Sequence, residues 1–137
     1  EQIFGINIVG DSESNKLGQL SRSVYQEYGG HWIARRVSGV FAAKNKLVSA
    51  NRLELTFPSG QVPQGITHQA RLRWSDNKGL TYGNPMIKEI GTAGAGNQRL
   101  VWWSMGSFRQ RVYELSISTA ANRDLIDEDF LYEVGGL

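Results

Sequence analysis

Short stretches in which apolar and polar side chains alternate recur along this chain, and they constrain its fold more strongly than any other feature. Between Ala70 and Trp74 the apolar residues are separated by Arg71 and Arg73, and only an extended strand places these two groups on opposite faces. The same period of two recurs at residues 4–8, 53–57, 113–117 and 130–134. Several short strands of this kind predict an all-β, antiparallel β-sandwich-like domain.

One stretch near the N-terminus allows a helical alternative. From Lys16 to Tyr28, the apolar residues Leu17, Leu20 and Val24 follow one another at spacings of three and four. Gly18 and two serines lower the helix propensity of the same stretch. One short helix near the N-terminus therefore stays open as an alternative.

The chain has 137 residues and no cysteine, so side-chain packing has to stabilise it without disulfides. This length is typical of one domain with one core, and we expect a single β domain over residues 1–137. The apolar runs are far shorter than the roughly 20 residues of a membrane-spanning helix, so we expect no membrane partner. The chain opens on Glu1 rather than on Met, which we interpret as the start of a fragment of a longer protein.

Motifs of known enzyme chemistry are missing from the sequence. His31 and His68 lie far apart without partners at metal-ligand spacing, and there is no serine nucleophile motif or phosphate-binding glycine loop. We therefore predict no catalytic, metal or cofactor site, and a protein that is not an enzyme. Acidic pairs for glycosidic chemistry are the alternative, but solvent-facing strand positions explain the candidates more simply; these are Glu54, Asp76, Glu89 and Glu114.

The segment from Ser75 to Tyr82 resembles the Asp-box hairpin, whose pattern is S-x-D-x-G-x-T-W. Asn77 stands in the Asp position and Tyr82 in the Trp position. We expect Asn77 to bond the turn backbone, Gly79 to supply a positive φ, and the aromatic ring to pack back under the hairpin. The resemblance implies a structural turn rather than a sugar site, built from Ser75, Asn77, Gly79, Thr81 and Tyr82.

Trp102 and Trp103 are neighbours on a predicted strand, so their side chains have to point to opposite faces. At most one of them fills the core, and the other meets solvent, a covering loop or a partner subunit. We interpret the second tryptophan as part of a subunit interface. A stacking platform for single-stranded nucleic acid, with arginines nearby, is the alternative.

A series of segments shares its order and spacing with one known family. The segments are Arg71 to Gly83, Ile87 to Gly91, Arg99 to Trp102, Met105-Gly106 and Arg109 to Thr119, preceded by Val9 to Ser12 and Leu17 to Leu20. They resemble the C-terminal part of the packaged-DNA stabilisation protein, the tail-hub or tail accessory protein of short-tailed bacteriophages. The chain departs from the family pattern at Met105, where Leu or Val is usual, and at Asn77.

This resemblance implies a structural protein of the virion tail that is much longer in full. Residues 1–11 would then be the exit strand of a preceding N-terminal region. The resemblance also implies a ring of several copies, expected to be a hexamer, below the portal and its adaptor. Such a ring closes the DNA channel after packaging and holds the tail needle and the tailspikes.

A ring requires one surface of each copy to fit a different surface of the next copy. Ten of the fifteen cations are arginines, whereas five acidic residues lie within the last fifteen positions. We expect an arginine-rich face to meet the acidic C-terminal segment of a neighbour, because complementary potentials set the register. The candidate interface residues are Arg71, Arg73, Arg109, Arg111, Trp103, Asp127, Glu128 and Asp129.

Two further expectations concern ligands. Contact with DNA is expected to be weak or transient, because a channel lined by both charge signs does not hold DNA tightly. The alternative function is a carbohydrate-binding β-sandwich of a phage tail fibre, in which Trp32 or Trp103 stacks on a sugar ring.

Overall fold

The computed structural model describes residues 2–3, 5–30, 32–58 and 62–135, and all regular structure within them is β. The strands are β1 (Gln2–Ile3), β2 (Ile6–Gly10), β3 (Leu17–Gln19), β4 (Ala34–Val37), β5 (Phe41–Ala42), β6 (Val48–Phe57), β7 (His68–Ser75), β8 (Met86–Gly91), β9 (Gln98–Trp103), β10 (Ser107–Phe108), β11 (Gln110–Ile117) and β12 (Asp127–Val134). The prediction of an all-β, antiparallel sandwich is confirmed. No helix that could cross a membrane is found in the described residues.

The first sheet of the sandwich is built around β6, the longest strand. β12 pairs along one edge of β6, while β9 and then β10 pair along the other edge. Between β9 and β10 the chain leaves strand geometry at Ser104 and Gly106, which both have positive φ. Because β12 pairs only with β6 among the described strands, it is an edge strand of this sheet.

The second sheet has the order β4, β11, β7, β8, with β5 pairing the first residues of β11. The chain passes from the first sheet to the second between Phe108, which pairs with β6, and Gln110, which pairs with β5. β4 and β5 share one edge of β11 and are separated by residues 38–40. This edge is consequently interrupted, unlike that of β12.

The two sheets bury one apolar core. Phe57, Leu72, Ile90 and Trp102 are each at most 1% exposed, and each buried side chain of this kind stabilises the fold by roughly 1.5–3 kcal/mol. Trp103, by contrast, is 61% exposed. The two neighbouring tryptophans thus point to opposite faces, as the strand geometry predicts.

The helical alternative for residues 16–28 is wrong. Leu17–Gln19 forms β3, which pairs with β2 in a small sheet that also contains β1. Leu17, Leu20 and Val24 are 61–76% exposed, so a helix here would have no apolar surface on which to bury its face, and a short unpacked helix is marginal. Phe4 and His31 lie outside the described residues.

Candidate subunit interface

The outer face of the second sheet carries an arginine cluster. Ala70 and Leu72 are buried, so strand alternation turns Arg71 and Arg73 to the outside of β7. On β4, Arg35 lies on the same face, because both Arg35 and Arg71 pair in register with Ser116 of β11. We call Arg35, Arg71, Arg73 and the neighbouring Glu114 the arginine face.

A buried carboxylate organises the arginine face. Glu114 is 4% exposed, accepts a hydrogen bond from Nε of Arg73 at 2.7 Å, and lies 3.8 Å from Nε of Arg35. The hydrogen bond to Glu114 raises the pKa of Arg73, whose guanidinium also lies 4.6 Å from the ring centroid of Tyr82. Arg71 is exposed and has no ion pair with any described residue. The face therefore presents an unneutralised positive charge at Arg71.

Among the described residues, the outer face of the first sheet carries more carboxylates than cations, because Arg52 and Arg99 are its two arginines. Asp127 and Asp129 point to this face, because their partners on β6 are Thr56 and Glu54 rather than the buried Leu55. Both aspartates are exposed. Asp129 forms an ion pair with Arg52, whereas Asp127 has no cationic partner within the described ranges. A negative charge is thus left free at Asp127.

Two exposed apolar side chains lie beside these aspartates. Trp103 and Leu131 both pair in register with Arg52, one from each side, so they share its face. The guanidinium of Arg52 lies 5.8 Å from the Trp103 ring. Trp103 is 61% exposed and Leu131 51%. We call Trp103, Leu131, Asp127 and Asp129 the tryptophan face.

The arginine face and the tryptophan face lie on opposite sides of the core, since each belongs to the outer surface of a different sheet. They cannot pair within one molecule. Between successive copies they can meet, and a heterologous contact of this kind closes into a ring when the rotation allows it. Glu128 is the exception among the predicted acidic residues, because its register partner Leu55 places it on the inner side of β12.

Two of the predicted interface arginines lie elsewhere. Arg111 is 3% exposed, and its Nε and Nη2 donate to the two carboxylate oxygens of Asp76 at 2.6 and 2.9 Å. Its Nη1 donates to the carbonyl oxygen of Met105 at 2.6 Å. Arg109 is exposed and donates to the carbonyl oxygen of Asn45. Arg111 therefore stabilises the inside of the fold and has no free surface for a neighbour.

The turn between β7 and β8 has the contacts that its residue types favour. Oδ1 of Asn77 accepts from the backbone N–H of Thr81 at 2.9 Å, and Oγ of Ser75 accepts from that of Gly79 at 2.8 Å. Gly79 has a φ of 88°, which a residue with a side chain adopts at a cost. Tyr82 lies half-buried under Arg73 of the preceding strand. The turn thereby holds Tyr82 against Arg73 of the arginine face.

Most of the remaining candidates for chemistry are engaged within the fold. Three of the four carboxylates considered for glycosidic chemistry are in ion pairs, namely Glu54 with Arg99, Asp76 with Arg111 and Glu114 with Arg73. His68 is 1% exposed, and its Nε2 lies 3.0 Å from the carbonyl oxygen of Asn122. In the part of the chain that the structure describes, no three His, Asp or Glu residues are grouped as metal ligands.

Comparison with protein families gives a match over most of the chain. The model described as "Bacteriophage P22 Gp10, beta-sandwich" matches residues 34–126, from the first residue of β4 to the residue before β12. A search of curated proteins gives no match. Because the family match covers well over half of the 137 residues, the chain belongs to the family of the bacteriophage P22 Gp10 β-sandwich, a structural component of the phage tail.

Proposed function

We propose that this domain joins copies of a tail-hub protein into a ring. The ring, expected to be a hexamer, closes the portal channel after DNA packaging and connects the portal and its adaptor to the tail needle and the tailspikes. The chain is then the C-terminal domain of a longer structural protein and not an enzyme. Membership of the phage tail family supports this proposal, and so does the placement of the two charged faces.

The observation that carries the proposal is an exposed charge without an ion pair among the described residues, of opposite sign on each outer face of the sandwich. Arg71 carries the free positive charge on one side, and Asp127 the free negative charge on the other. Head-to-tail stacking brings Arg71 of one copy to Asp127 of the next, and Trp103 supplies the large, exposed aromatic anchor of the contact. Stacking of like faces would instead juxtapose like charges, which is unfavourable.

Charge reversal at Arg71 tests the proposal most cleanly, because Arg71 forms no ion pair among the described residues, whereas Arg73 pairs with the buried Glu114. In the full-length protein, Arg71→Glu is expected to reduce assembled tails by about tenfold or more, equivalent to about 1.4 kcal/mol. Adding Asp127→Lys to the same chain restores the opposite signs at each contact and is expected to restore assembly.

Lys44→Glu is the matched control, since Lys44 is an exposed cation in the turn between β5 and β6, outside both faces. This control should assemble like the wild type. Normal assembly and DNA retention by the Arg71→Glu variant would overturn the proposed pairing.

Carbohydrate binding is the second candidate, and the exposure of Trp103 favours it. An exposed tryptophan flanked by Arg52 and Asp129 can stack on a sugar face while polar groups bond its hydroxyls. A glycan array with the wild type and Trp103→Ala separates the two candidates. Saturable glycan binding that Trp103→Ala abolishes would support the sugar site; ring formation does not require it.

A further inference from the structure

The sandwich is open along one side. β8 and β9 approach each other at the closed side, whereas on the opposite side a groove of about 510 Å³ lies between β12 and the edge formed by β4 and β5. The rings of Phe41 on β5 and Phe130 on β12 meet across this groove, with centroids 5.3 Å apart. Its lining is mainly apolar and includes Val37, Phe41, Leu53, Leu125 and Phe130. Core-type side chains are therefore accessible at this side of the domain.

β12 forms the continuous rim of this groove. Its residues Asp127–Val134 pair with β6 along one edge, and no strand within the described ranges pairs with the other edge. The ladder extends at both ends, because Ile126 donates to Thr56 and Gly135 to Leu47. A sheet edge of this length is a template for one more strand.

The side chains of β12 differ between its two faces. On the groove side, Glu128 is followed by Phe130 and Tyr132, whose ring centroids are 5.3 Å apart, and by Val134. On the outer side, three carboxylates accompany one apolar side chain; these residues are Asp127, Asp129, Glu133 and Leu131. A strand paired with this edge would therefore meet mainly apolar groups on one face and mainly carboxylates on the other.

The acidic residues of β12 indicate which kind of strand can pair with its free edge. The strand contains four acidic residues and no cation, so two copies of β12 side by side would place like charges opposite each other, which is destabilising. A strand with basic residues alternating with apolar ones satisfies both faces of the edge.

We propose that the free edge of β12 and the adjoining groove bind an extended segment of a different polypeptide, in which arginine or lysine alternates with apolar residues. The apolar side chains enter the groove beside Phe130, and the basic side chains lie opposite Asp127 and Asp129. This contact adds the strand edge and the groove to the outer carboxylates Asp127 and Asp129, and so it goes beyond the ring contact between the outer faces.

The test uses a fluorescein-labelled octapeptide of alternating arginine and valine, which matches the 8 residues of β12. Binding to the 137-residue chain is followed by fluorescence anisotropy, and protection of the β12 amides by hydrogen exchange. An arginine–glycine octapeptide carries the same charge without the apolar side chains and is the peptide control. The arginine–valine peptide is expected to bind at least about tenfold more tightly and to protect the β12 amides.

Two variants make the test specific to the groove side. Tyr132 lies on the groove side of β12, whereas Ile87 lies on β8 in the other sheet, and their side chains are 51% and 50% exposed. Tyr132→Lys is expected to weaken peptide binding about tenfold or more, and Ile87→Lys less than about threefold, although both add the same charge. Equal losses in the two variants, equal binding of both peptides, or protection of β12 by self-association without peptide would each overturn the proposal.

Discussion

Removal of the Asp76 carboxylate should destabilise this domain strongly, although Asp76 lies at the surface. The Asp76→Ala variant leaves the guanidinium of Arg111 buried, with only one of its three hydrogen bonds. The rings of Phe108 and Trp74 lie 4.4 and 5.0 Å away and cannot replace the carboxylate. Burial is the largest influence on the pKa of Arg111 and lowers it, whereas the hydrogen bonds to Asp76 raise it. The variant loses the hydrogen bonds to Asp76, but arginine is not deprotonated in proteins, so the buried charge persists.

The magnitude follows from the exposure of the two partners. Breaking a buried ion pair costs about 3–5 kcal/mol. The side chain of Asp76 is 50% exposed, however, whereas that of Arg111 is 3% exposed, so water can enter at the vacated position. We therefore expect a loss of about 2–3 kcal/mol in the free energy of unfolding, which lowers the Tm by roughly 6–15 °C for a domain of this size.

Urea unfolding at 25 °C, followed by tryptophan fluorescence, measures the loss. Arg111→Met removes the buried charge and fills its space, so it is expected to cost less than Asp76→Ala, and the double variant should resemble Arg111→Met alone. Asp127→Ala, which removes an exposed and unpaired carboxylate, should stay within about 0.5 kcal/mol of the wild type. If the effects of Asp76→Ala and Arg111→Met were additive, or if Asp76→Ala cost no more than Asp127→Ala, Asp76 would not stabilise the fold through Arg111.

Three further predictions concern the turn, the buried histidine and DNA. Gly79→Ala should destabilise the domain by about 1–2 kcal/mol in thermal melts, because φ is 88° and the added Cβ meets the Tyr82 hydroxyl at 3.2 Å. The control is Gly83→Ala, whose added Cβ has no neighbour nearer than 3.9 Å, and it should melt as the wild type does. Burial, together with Arg123, lowers the pKa of His68 despite the contact with the Asn122 carbonyl, so the unfolded chain takes up the proton first and stability falls as the pH drops below about 6.5. His68→Gln should lose less stability than the wild type between pH 7.5 and 5.5, and an equal loss would contradict this. Gel shifts at low salt should reveal no tight complex with DNA; a salt-sensitive complex would argue for a nucleic-acid site.

Strand content could be predicted because it depends on local alternation. In β7, Ala70 and Leu72 are buried while Arg71 is exposed, as a period of two requires. Likewise, adjacency on one strand is sufficient to separate Trp102 from Trp103. Both features can be predicted without knowing which strands are neighbours in a sheet.

The site depends on tertiary neighbours and could be predicted only in part. Arg71 and Arg111 have similar sequence surroundings, yet one is exposed and the other buried, because Arg111 follows the crossing from one sheet to the other and meets Asp76 there. Arg35 joins the arginine face only through the pairing of β4 with β11. No local pattern marks either contact. The alternation of side chains along β12 also does not show that it is an edge strand.

In the proposed ring, the arginine face of one copy contacts the tryptophan face of the next, and cysteine crosslinking would detect this contact. The chain has no cysteine of its own. Ile87 pairs with Arg71 on the arginine face, and Leu131 belongs to the tryptophan face; they are 50% and 51% exposed. Assembled tails that carry Ile87→Cys and Leu131→Cys in the same chain should give, on oxidation, a ladder of covalent oligomers up to the full ring, and neither single variant should crosslink. Dimers formed by a single variant, or no crosslinks in fully assembled tails, would contradict this contact between the two faces.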